Sequence, residues 1–148
     1  MIKAVLFDLD GTLLPMDEEV FIKDYFEALI KKVSPHGYDA DQLVSGVWKA
    51  TKTMMSNNGE KSNEHVVWED FSKTMGEKVL EHMPLFEDFY SNDFDLLSTS
   101  CGYNEKAKEV VDKVKNMGYR VVLATNPIFP GVHVVCKADV YALDALAL

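Results

Sequence analysis

Cysteine is scarce in this chain: there are two among 148 residues, Cys101 and Cys136, and they form no CxxC. That excludes a disulfide framework and leaves both thiols best read as small apolar fillers. The four histidines, His36, His65, His82 and His133, show no metal-ligand spacing and stand beside no cysteine nucleophile, so they read as structural or solvent-facing. Long apolar runs are also missing. Stretches such as 4–7 and 121–124 fall far short of the roughly 20 residues needed to span a bilayer. The N-terminus reaches Asp8 and Asp10 before a signal-peptide core could form. A cytoplasmic protein with no membrane partner is therefore expected. Positive charge is in short supply too: 15 Lys and Arg face 24 Asp and Glu, for a net charge of −9. Such a surface repels a phosphate backbone, so no nucleic-acid partner is expected. A small phosphorylated substrate stays compatible, because a bound cation inverts the local field. Repeats and low-complexity tracts are absent.

What is present is the composition of a globular protein, 47% hydrophobic and 26% charged. Ile2 to Leu9 is almost continuously apolar, as a central strand of a parallel sheet would be when both faces are covered. It runs into Asp8-Leu9-Asp10-Gly11-Thr12, where Gly11 permits a tight turn. Beyond Pro15 the pattern becomes helical. Asp17, Glu18 and Glu19 suit a helix start. Phe21, Tyr25, Leu29 and Val33 then recur every four residues, until Ser34-Pro35-His36-Gly37 stops the helix. Lys31-Lys32 reads as its solvated end. A second helix is predicted over Asp39 to Met55, and Ser56-Asn57-Asn58-Gly59 is a turn. A third helix is predicted from Asn63, with Lys78 to Met83 continuing it beyond Gly76. Pro84 to Ser100 is mixed and aromatic, and is also read as helical. Residues 15–100 thus form a helical module of 86 residues.

Asn104 then fits an N-cap for a helix carrying Ala107, Val110, Val111, Val114 and Met117, with Gly118 as its left-handed terminus. Tyr119 to Ala124 is a second buried strand, ending in Thr125-Asn126-Pro127. Strand, helical insertion, helix, strand is the order of a parallel α/β unit interrupted by a helical module. In open parallel sheets ligands bind at the carboxyl ends of the strands. The two carboxylates of Asp8 and Asp10 and the polar groups of Thr125 and Asn126 fall at two such ends.

Asp8-Leu9-Asp10-Gly11-Thr12-Leu13-Leu14 after an apolar strand resembles motif I of the haloacid dehalogenase superfamily, and Ala124-Thr125-Asn126-Pro127 resembles its motif II. The helical stretch between them sits where that family inserts a C1-type α-helical cap. The resemblance covers residues 1 to about 130. It implies a Rossmannoid α/β core of residues 1–14 and 101–148, with an all-α cap over 15–100. It also implies a Mg²⁺-dependent phosphatase acting on a small phosphate monoester. In that chemistry Asp8 is the nucleophile that forms an aspartyl-phosphate. Asp10 protonates the leaving alcohol and then activates water. Thr125 and Asn126 hold the phosphate oxygens. Asp8 and the backbone carbonyl of Asp10 help hold the metal. The dehalogenases proper lack the second aspartate of motif I, so Asp10 favours phosphate-ester hydrolysis.

The family's later motifs are harder to place. Lys137 is the candidate for the cation that clamps nucleophile and phosphate. It lies twelve residues beyond Thr125, where relatives usually fit a helix and a strand, and a surface lysine in an irregular tail is the competing reading. Asp139, Tyr141, Leu143 and Leu146 follow it at roughly helical spacing, while Val132 to Cys136 suggests one further strand. No acidic pair after a later strand is found. The 62 residues left to the core are too few for a five-stranded sheet, because each strand-plus-helix unit takes roughly 25 to 30 residues. The expectation is a core truncated or shortened at its C-terminal end. Two alternatives to an active phosphatase follow: a catalytically inactive chain or binding module, and a homo-oligomer in which another chain completes the sheet edge.

Overall fold

The structure is a computed structural model that describes residues 2–102, 104–125 and 128–129, together with the backbone of 144–147; for residue 125 also, only the backbone is described. The chain divides into two compact units, Met1–Lys23 with Asp95–Leu148, and Asp24–Phe94.

The first unit is built on a parallel three-stranded sheet, β1 (Ala4–Phe7), β2 (Arg120–Thr125) and β3 (Asp144–Ala147), in the order β1-β2-β3. The register places Phe7 opposite Leu123 and Thr125 opposite Ala147, so the carboxyl ends of the strands share one rim. Helix α5 (Glu105–Asn116) leads into β2. Its start is fixed as expected: the Asn104 side chain accepts from the Lys106 N–H at 3.0 Å. Ala107 and Val111 of α5 join Leu9, Leu13, Val121 and Leu123 in a buried core, with Phe7, Leu14 and Val114 packed against it.

Two sequence expectations are corrected here. The apolar run Ile2 to Leu9 yields only a four-residue strand, and Ile2 and Leu6 are 69% and 56% exposed. Among the described residues β1 pairs with β2 alone, so it is an edge strand in which Leu6 stays open while its register partner Val122 is buried. The helical spacing through Leu146 is also overruled, since residues Asp144–Ala147 form β3. A neighbouring parallel strand satisfies the backbone of so short a segment, whereas a helix of that length is costly to nucleate. The strand suggested at Val132 to Cys136 lies outside the described residues.

Helix α1 (Glu18–Val33) begins where Asp17 Oδ1 accepts from the N–H groups of Glu19 and Val20, each at 3.1 Å. It ends in a 3₁₀ turn containing Pro35, followed by Gly37 at φ +89°. The second unit adds α2 (Ala40–Met55), α3 (Asn63–Met75) and α4 (Met83–Asp88). Gly46 allows α2 and α3 to approach closely, because a Cβ there would come within 3.0 Å of the Phe71 ring and 3.1 Å of the Met75 sulfur. The continuation of α3 beyond Gly76 does not occur. Gly76 at φ +86° and ψ 153° breaks the helix, and Glu77–His82 forms a separate 3₁₀ turn. Residues between Met83 and Ser100 are helical throughout, as α4, a π turn and a 3₁₀ segment.

Lys32 is not the solvated helix end expected. It bonds to Asp88 and pairs with Asp93 at 2.6 Å, and this hydrogen bond, aided by one from Asn92, holds the Asp88 carboxyl below its ordinary range. Glu69 accepts from Lys61 at 2.6 Å and Lys73 at 3.1 Å, which lowers its pKa from 4.5 to about 2. Carboxyls lowered by folding contribute stability that is complete above their unfolded pKa and lost as pH falls through the folded one. The melting temperature is therefore expected to drop between pH 4.5 and about 2. Glu69→Gln should flatten that part of a pH series of thermal scans.

Candidate active site

Asp8 and Asp10 leave the carboxyl end of β1 on a loop shaped by its own backbone. Thr12 N–H donates to the Leu9 carbonyl at 3.1 Å, Leu14 N–H to the same carbonyl at 2.9 Å, and Gly11 N–H to the Leu14 carbonyl at 2.9 Å. Gly11 sits at φ +71°, a conformation that carries little cost only without a Cβ. Leu9 and Leu13 point into the core, while Asp8, Asp10, Gly11 and Thr12 are exposed. The alternation is the device: two buried leucines anchor a loop whose intervening side chains face water.

On a regular strand Asp8 and Asp10 would share a face, and the loop replaces that arrangement with two exposed carboxylates past the strand end. The parallel register puts this loop next to the end of β2, where Thr125 is the last strand residue. The structure thus brings Asp8, Asp10 and the Thr125 backbone to one rim. Asn126 and Lys137 lie outside the described residues. One residue was not singled out from the sequence: Thr12 donates its Oγ1–H to Asp8 Oδ2 at 3.2 Å. Its signal was available, because a threonine four residues on in a tight loop can reach back to the first carboxylate.

The segment between the strands leaves and returns through adjacent backbone. Met16 bridges antiparallel to Cys101, and Gly102 N–H donates to the Pro15 carbonyl at 2.7 Å. A side chain at position 102 would crowd the Pro15 ring, since a Cβ there lies 3.2 Å from the Pro15 Cβ. Among the described residues no group of three or more His, Cys, Asp or Glu side chains gathers as a metal cluster. No helix among them is long and apolar enough to cross a membrane.

A short parallel sheet, a large helical insertion after its first strand and an acidic loop at its carboxyl rim define a protein of the α/β class. The family model for haloacid dehalogenase-like hydrolases matches residues 2–140, and the chain belongs to that family. No curated protein and no solved structure matches the chain.

Proposed function

We propose that this hydrolase is a Mg²⁺-dependent phosphatase acting on a small phosphate monoester, with residues 15–100 serving as its cap. The observation that carries the reading is the loop of residues 8–14, which presents two exposed carboxylates at the sheet rim. A dehalogenase needs one nucleophilic carboxylate there. A phosphatase needs a second group that can move a proton, and Asp10 is of the right kind.

The donor set fits the cation. Mg²⁺ prefers oxygen ligands, keeps several waters, and is commonly bound by one or two carboxylates plus substrate phosphate. Asp8 and the Asp10 carbonyl would hold it, and when bound it supplies the positive charge that lets a phosphate approach a carboxylate. The remaining steps belong to the chain. An Asp8 oxygen attacks phosphorus in line, a new O–P bond forms, and the bond to the leaving alkoxide breaks. Asp10 delivers the proton that the alkoxide takes up. Asp10 then accepts a proton from water as the water attacks the aspartyl-phosphate, releasing inorganic phosphate and restoring Asp8. Thr12 fixes one Asp8 oxygen by its hydrogen bond, which leaves the other oriented for attack. Thr125, Asn126 and Lys137 are proposed to hold the transferring phosphoryl group.

Purified protein is expected to hydrolyse a generic aryl phosphate with Mg²⁺, to stop when the metal is chelated, and to leave a 2-haloacid untouched. Halide release without phosphate release would overturn the phosphatase reading. Beryllofluoride with Mg²⁺ should raise the melting temperature, by an amount corresponding to about 2.7 kcal/mol at a hundredfold excess over Kd. Neither turnover nor a thermal shift would favour the inactive binding module.

A further inference from the structure

We propose that Asn58 is a site of spontaneous covalent self-modification, where the loop between α2 and α3 converts an asparagine into isoaspartate and aspartate. Asn58-Gly59 is the only Asn-Gly pair in the chain. In this reaction the Gly59 backbone nitrogen, after losing its proton to hydroxide, attacks Asn58 Cγ. A C–N bond forms, the bond from Cγ to Nδ2 breaks, and ammonia leaves with a proton from water. The resulting five-membered succinimide is opened by water at Cγ, giving aspartate, or at the backbone carbonyl, giving isoaspartate. No oxidant or other reagent is involved.

Three features of the fold favour it. Gly59 sits at φ +85°, and no heavy atom of the fold outside its chain neighbours lies within 4 Å of where a Cβ would stand, so no side chain of its own and no packed neighbour crowds its Cα. That nitrogen lies in neither helix nor strand, and its N–H makes only a long bond to Asn57 Oδ1 at 3.3 Å. The third feature concerns the electrophile. Glu60 N–H donates to Asn58 Oδ1 at 3.1 Å, so a donor already points at the oxygen on which negative charge develops during attack. Asn58 and Gly59 are both exposed, which admits the water that opens the ring.

The neighbouring Asn57 is protected by the same loop. Its Nδ2 is held by the Lys61 carbonyl at 2.8 Å and by Asn63 Oδ1 at 2.9 Å, and its successor Asn58 carries a side chain. Asn63 and Asn116 lie in helices, and Asn92 lies in the π turn and is followed by Asp93. The isoaspartate product would add one backbone carbon to the α2–α3 connection, a change the cell cannot reverse by refolding.

The full chain is incubated at neutral and mildly alkaline pH, and its peptides are mapped by mass and by enzymatic methylation of isoaspartate. The Asn58 peptide should gain the mass difference between an amide and a carboxyl before any other asparagine peptide, faster at higher pH, with both isomers present. Mass mapping also separates this site from Asp10-Gly11, which could isomerise without a mass change. Asn58→Gln should abolish the conversion and Gly59→Ala should slow it, with circular dichroism showing that each variant stays folded. A synthetic peptide of residues 55–63 provides the comparison. Conversion in the folded chain at or above the peptide's rate supports the proposal. Conversion slower than in the peptide, or another asparagine reacting first, overturns it.

Discussion

Replacing Asp8 by asparagine is expected to remove phosphate-ester hydrolysis while leaving the fold intact. The substitution keeps the size of the side chain and keeps an oxygen that can accept from Thr12 Oγ1. It removes the charge and the nucleophilic oxygen pair. An amide does not displace an alkoxide from phosphorus under these conditions, so the covalent step is lost and not merely slowed. Loss of a covalent nucleophile commonly costs a thousandfold or more, and roughly a thousandfold is the least expected here. Asp8 is exposed, and substitutions at exposed positions away from special features usually shift stability within about 0.5 kcal/mol. The decisive comparison is therefore initial rate on an aryl phosphate beside melting temperature. A rate like that of the unsubstituted protein would sink the assignment of Asp8. A lost rate with a collapsed melting temperature would point to the loop's architecture instead.

That loop was the most legible part of the molecule. Asp8, Gly11 and Leu13 occupy positions whose local physics is self-contained: a strand end, a left-handed glycine and an apolar anchor within seven residues. Helix starts were legible for the same reason, since Asp17, Asp39 and Asn104 each cap a helix with a side-chain oxygen only two or three residues from its donor. What failed was set by partners distant in sequence. Burial on both faces of β1 could not be judged from its own residues, because the exposure of Leu6 depends on whether another strand lies beside it. Lys32 resembled a solvated helix end, and its carboxylate partners lie more than fifty residues away at Asp88 and Asp93. Leu146 shows the opposite error. A weak helical period in a short segment gave way to the parallel pairing offered by β2. The Thr12 contact to Asp8 is local, yet the sequence does not single it out, because a threonine in a turn has many equally ordinary partners.

Phe89→Ala is expected to be among the most damaging single changes in the second unit. Phe89 is fully buried, at 0% exposure. Its ring meets those of Tyr90, Tyr25 and Phe94 edge-on, with centroids 5.3, 6.0 and 6.3 Å away. Truncating a core phenylalanine costs about 3–5 kcal/mol, and the figure depends on how far the surroundings can collapse into the hole. Collapse is hindered here. Tyr25 and Tyr90 are bonded hydroxyl to hydroxyl at 2.8 Å, and burial raises the pKa of both phenols. A ring that moved into the void would break that bond, and a lost side-chain hydrogen bond costs about 0.5–1.5 kcal/mol. The cavity therefore stays open and the loss falls toward the upper part of the range. Phe89→Leu retains most of the volume and should cost less than the alanine change. Both tryptophans, Trp48 and Trp68, lie within Asp24–Phe94, so urea unfolding followed by their fluorescence reports on this unit directly. A loss below about 1 kcal/mol for Phe89→Ala would show that the neighbouring rings do refill the space, and that the tyrosine pair does not hold them in place.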